Sequence, residues 1–200
     1  MTLREKLIVG VFIGVFVPGC GNPATEAVKI GIQVVGKVVD DVEVDKLGKE
    51  LLGQSAGKAD EVLGATEDVY AAVNDDRQWR VYPVPVDVLG NQRYVVETTR
   101  GHIVLVEKVE KDSGKLDIPL ELVYHEKLKG KTPEQCQAEL NMGPPVMVVR
   151  SETTGLLFRF YDARLIKEFS KPHYLIARFD ENGKCDKVKF AEVAASTTQE

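Results

Sequence analysis

Trp79-Arg80-Val81-Tyr82 and Phe158-Arg159-Phe160-Tyr161 are one phrase, aromatic-Arg-apolar-Tyr, written twice at an offset of 79. At the same offset Lys58-Ala59-Asp60-Glu61-Val62-Leu63-Gly64 falls on Gln137-Ala138-Glu139-Leu140-Asn141-Met142-Gly143. Tyr94-Val95-Val96 answers Tyr174-Leu175-Ile176 at an offset of 80, and Gly101 answers Gly183 at 82, a drift that loop-length changes produce. The period exceeds the roughly 20 to 50 residues of solenoid repeats, so two copies of a small domain are expected.

Each copy reads as helices followed by strands. In the second, Leu120, Val123, Tyr124 and Leu128 share one helical face behind Pro119, whose missing N–H costs nothing in a first turn. Thr132-Pro133-Glu134-Gln135 predicts a second helix with Thr132 as N-cap and Gln135 completing a capping box, stopped by Gly143-Pro144-Pro145. Strands are expected at 156–161, 174–179 and 187–190, the last two joined by the turn Asp180-Glu181-Asn182-Gly183. The first copy yields a helix within 27–52, a short helix ending at Gly64, and strands near 78–83, 93–98 and 102–110. The expected fold class is α+β: two tandem units, each with two short helices packed on a three-stranded antiparallel sheet.

The second copy resembles a known family. Gly130-Lys-Thr-Pro-Glu-Gln-Cys136, Met142-Gly143-Pro144-Pro145, Leu157-Phe-Arg-Phe-Tyr161 and Leu175-Ile-Ala-Arg-Phe-Asp-Glu-Asn-Gly-Lys184 together resemble the SmpA/OmlA (BamE-like) lipoprotein domain over about residues 119–191. The first copy matches more weakly, over about 45–110. Lys131 departs from the family's apolar residue, and the first copy lacks Thr-Pro at its helix start. The resemblance implies tandem BamE-like units, an arrangement shared with the β-lactamase inhibitor protein, and a role in outer-membrane protein assembly or envelope integrity. Inhibition of a secreted enzyme is the alternative function it implies.

The N-terminus speaks to location. Arg4 and Lys6 precede an eleven-residue apolar run, Leu7 to Val17, and then Pro18-Gly19-Cys20, the layout of an export signal. A bilayer core takes about 20 apolar residues in helix, so the run is too short for a permanent span. Val17-Pro18-Gly19-Cys20 resembles the bacterial lipobox, with Pro18 a departure from it, and implies lipidation of Cys20, palmitate included. Gly21, rather than an acidic residue, implies by the same resemblance the outer membrane, facing the periplasm. The expected organisation is a signal peptide at 1–19, a tether at 20–26, a first unit at 27–112, a second at 113–192 and a disordered tail at 193–200.

Charge narrows the partners. The 200-residue chain carries 26 Lys plus Arg against 31 Asp plus Glu, net −5. Loss of residues 1–19 would remove Arg4, Lys6 and Glu5, leaving about −6. No nucleic-acid partner is expected, because phosphate binding needs a basic face. Membrane attachment is left to the lipid anchor. The remaining composition, 44% hydrophobic and 28% charged, is that of an ordinary globular domain.

Chemistry is sparse. His102, His125 and His173 are widely spaced and sit in no metal-ligand pattern, and G-x-S-x-G does not occur. Carboxylate pairs such as Asp75-Asp76 lie in turn-like sequence. No enzyme activity, metal or cofactor is expected, and the partner is an envelope protein. Cys136 and Cys185 are a candidate disulfide in an exported chain, or two small buried apolar side chains. Strand alternation, with Trp79, Val81, Phe158 and Phe160 toward the helices, puts Arg80, Tyr82, Arg159 and Tyr161 on the free face. Arg and Tyr concentrate binding energy at interfaces, so these four are the candidate partner site. A cross-strand pair that covers the sheet is the other reading.

Overall fold

The computed structural model describes residues 36–38, 42–85, 87, 90–111, 119–164 and 166–192. The expected signal peptide, Cys20, the tether and the tail lie outside the described residues.

Four helices and nine strands are described: β1 (Gly36–Val38), α1 (Val42–Leu51), α2 (Ala56–Leu63), β2 (Asp68–Ala72), β3 (Arg77–Pro83), β4 (Gln92–Thr99), β5 (His102–Lys111), α3 (Pro119–Leu128), α4 (Pro133–Leu140), β6 (Met147–Ser151), β7 (Leu157–Asp162), β8 (His173–Phe179) and β9 (Cys185–Glu192). After β1, the order two helices then four strands occurs twice. No described helix is long and apolar enough to cross a membrane.

The expected pair of separate three-stranded units is not what forms. All nine strands belong to one antiparallel sheet in the order β1-β5-β4-β3-β2-β6-β7-β8-β9. The join is β2 against β6, with Tyr70 opposite Ser151, Ala71 opposite Arg150 and Ala72 opposite Val149. Each half thus has a fourth strand, and these extra strands find their missing ladder partner in each other. Polar bonds fasten the seam at one end: Ser151 Oγ–H donates to the Asp68 carboxylate at 2.8 Å, and Glu152 N–H to Val69 C=O at 2.7 Å.

Side chains on the two sheet faces enter different clusters. On one face Leu51 of α1 and Ala59 of α2 pack with Tyr82, Tyr94, Val96 and Ile103. Leu128 of α3 and Cys136 and Leu140 of α4 pack with Tyr161, Leu175, Ala177 and Phe179. The opposite face gathers Trp79, Val81, Val95, Val149, Phe158, Phe160 and Ile176 from both halves into a third cluster that no described helix enters.

Local signals fix the helix ends. Thr132 accepts from Gln135 N–H while the Gln135 side chain accepts from Thr132 N–H, so the capping box forms as expected. Gly53 and Gly130 turn the corner between paired helices at φ of 79° and 74°, where a side chain would be strained. In α3 the expected inward face is only partly right: Val123 is 60% exposed, whereas Glu121 is buried. Glu121 is drawn in because its Oε1 accepts Phe190 N–H from the terminal strand β9.

Candidate functional site

Strand pairing sets which side chains meet. Tyr70 lies opposite Trp79 and Val149 opposite Phe158, so Trp79 and Phe158 occupy the same place in the two halves. Tyr82 lies opposite Tyr94 and Tyr161 opposite Leu175, so Tyr94 corresponds to Leu175, one residue later than the sequence offset gives. The helix caps Ser55 and Thr132 also correspond, which pairs Asp60 with Gln137.

Both Arg-x-Tyr phrases face the helices, the reverse of the expected orientation. Tyr82 and Tyr161 are fully buried among helix residues, while Trp79 and Phe158 lie in the cluster on the other face. In the first half Asp60 of α2 organises the group: Arg80 Nη1 donates to both of its oxygens at 2.9 Å, and Tyr82 O–H donates to Oδ1 at 2.7 Å. Burial, then the bond to Asp60, pushes the Tyr82 hydroxyl up to about 12. Arg80 and Tyr82 therefore tie a strand to the helix above it.

The second half repeats the phrase without the carboxylate. Arg159 Nη2 reaches Glu134 Oε1 at 3.6 Å, and the buried Tyr161 hydroxyl lacks the hydrogen bond that Tyr82 makes, while the guanidinium Nε is buried without a partner in both halves. Burial raises the Tyr161 hydroxyl above its ordinary range. Near this gap lie Cys136 and Cys185, both buried and free thiols. The Cys136 thiol lies 3.8 and 3.9 Å from the Leu128 and Lys131 carbonyl oxygens and the Cys185 thiol 3.7 Å from that of Lys187, and the neighbouring Cys185 thiol is the first cause that lowers the Cys136 pKa.

On the opposite face the buried Trp79 Nε1–H donates to Glu97 Oε2 at 2.9 Å. Glu97 Oε1 has no partner, and burial holds the carboxyl up at about 7, eased by the Trp79 bond and the Arg77 guanidinium. The sequence reading passed over Glu97; a lone acid within Tyr94-Val95-Val96-Glu97-Thr98-Thr99 was its one available sign. His102 is exposed beside Gly53 C=O, and His173 stacks on Phe169 with ring centroids 3.8 Å apart. His125 Nδ1 is buried and unpartnered. These three histidines are not brought together, and the described residues hold no group of three or more His, Cys, Asp or Glu placed for a metal ion.

Known proteins add little to this geometry. No family model matches the chain, the SmpA/OmlA domain included, and no curated protein matches it. One solved structure is weakly similar. It is a putative beta-lactamase inhibitor protein from Streptococcus mutans, 13% identical, aligned over 82% of this chain and 95% of that one with a TM-score of 0.27. A superposition so poor assigns neither fold nor activity.

Proposed function

We propose that this chain is a lipoprotein of the bacterial cell envelope, anchored through Cys20 to the outer membrane on its periplasmic side, that works by binding another envelope protein. The observation that carries the reading is the segment Arg4 to Cys20, a charged start, a short apolar run and Gly19-Cys20. Binding is favoured over turnover by how the polar groups are used. Arg80 and Tyr82 close on Asp60, Trp79 on Glu97 and Ser151 on Asp68, each joining one element to another within the chain.

Metabolic labelling with an alkyne fatty acid tests the anchor: label is expected on the native chain and absent from Cys20→Ala, and equal labelling of both overturns it. Photocrosslinking in intact cells from Leu122 and Val123, exposed apolar positions on α3, tests the binding role. A discrete crosslinked envelope protein is expected. Stoichiometric inhibition of a secreted enzyme by the purified chain would replace the assembly role with an inhibitory one.

A further inference from the structure

Two backbone hydrogen bonds tie the corner between α3 and α4 to the start of β9: Gly130 N–H to Cys185 C=O at 2.8 Å, and Cys185 N–H to Lys131 C=O at 2.9 Å. The first half repeats both, with Gly53 N–H to Ile103 C=O and Ile103 N–H to Gln54 C=O, each 2.8 Å. Counting from the matching caps Ser55 and Thr132, Cys136 stands where the first half has Ala59. Two cysteines therefore occupy the places of Ala59 and Ile103, two apolar side chains buried in one cluster. Where the first half has an apolar contact between helix and strand, the second has thiol against thiol.

We propose that Cys136 and Cys185 are a reversible thiol–disulfide pair in which Cys136 is the thiol that enters exchange, and that oxidation clips the first turn of α4 to the start of β9. The surroundings of the two sulfurs are unequal. Cys136 lies in the field of Lys131 and Arg159, which favour its thiolate against burial and Glu134, whereas Cys185 lies beside Asp186, which disfavours its own. A helix's first turn adds to the preference at Cys136. The Tyr161 hydroxyl, buried without a partner, belongs to the same cluster of groups.

The co-reactant is a small-molecule disulfide. The Cys136 thiolate attacks one of its sulfurs, forming a mixed disulfide and releasing one thiolate. Cys185, giving up its proton, then attacks the Cys136 sulfur. The internal S–S bond forms, the mixed disulfide breaks, and the second thiolate leaves, so two electrons pass to the small disulfide, which departs as two thiols. Because both cysteines are buried, entry follows a local opening of the α4 turn.

The experiment incubates the folded chain across ratios of reduced to oxidised glutathione, followed by acid quench, alkylation and peptide mass mapping, which separates adducts on Cys20. The native chain is expected to gain the Cys136–Cys185 bridge reversibly. Cys185→Ser is expected to accumulate glutathione on Cys136 about tenfold faster than Cys136→Ser accumulates it on Cys185. Equal rates overturn the assignment of Cys136 as the entering thiol. A bridge that forms only in urea, never in the folded chain, overturns the pair. Cys136→Ala, which installs the residue the first half carries at this place, is the folded control and is expected to form no bridge.

Discussion

At the scale of single residues, the halves differ most where their sequences look most alike. Tyr82 donates to Asp60, whereas the Tyr161 hydroxyl is buried without a partner. Tyr82→Phe is therefore expected to cost about 1 kcal/mol of stability, and Tyr161→Phe to be neutral or stabilising; urea unfolding of the two variants makes the comparison. Glu97 predicts a pH dependence. Its carboxyl stands at about 7 when folded against an ordinary 4.5, so between those values the folded chain keeps a proton that the unfolded chain has lost. This contribution is whole below about pH 4.5 and declines as pH rises toward 7, so stability falls across that window. Glu97→Gln keeps an acceptor for the indole N–H of Trp79 and is expected to flatten the slope, read as unfolding free energy from pH 4.5 to 8. A slope unchanged by the substitution would assign the effect elsewhere.

At the scale of elements, removing the α4 cap with Thr132→Ala is expected to cost about 1 kcal/mol, seen as a lower urea midpoint. That cap was legible because Thr-Pro-Glu-Gln states its own chemistry, and the hairpin turn at Asp180 to Gly183 was legible for the same reason. The strands β2 and β6 were not. Asp68-Val-Tyr-Ala-Ala72 opens on an acid and ends on two alanines, and Met147-Val-Val-Arg-Ser151 follows two prolines, so neither carries a clean alternation of apolar and polar residues. Each is held on both sides, β2 by β3 and β6, β6 by β7 and β2, and the long-range partner is one that no local pattern announces. The inverted orientation of Arg80 and Tyr82 has a related cause. Alternation shows which residues share a face, but not which face meets helices, and in this sheet both faces are buried. Trp79, the largest side chain, looked like the helix contact and packs on the other side.

At the scale of the whole molecule, the seam makes the halves interdependent. A fragment covering residues 119–192 would expose the β6 edge with Met147 and Val149 beside it. An open apolar strand edge recruits another strand, so this fragment is expected to self-associate in size-exclusion chromatography with light scattering. A stable, folded monomer would show that the seam is dispensable. With Trp79 matched to Phe158, Val149 stands for Tyr70, Arg150 for Ala71 and Ser151 for Ala72. The observed pairs Tyr70 with Ser151, Ala71 with Arg150 and Ala72 with Val149 then read as first with third, second with second and third with first. That is the pattern of a strand meeting its own copy across a dyad through Ala71 and Arg150. A gene encoding one half alone, its product doubling up along this strand, would rebuild the eight paired strands from β5 to β9 with strict twofold symmetry, and duplication followed by fusion needs no new contact to hold the single-chain form together.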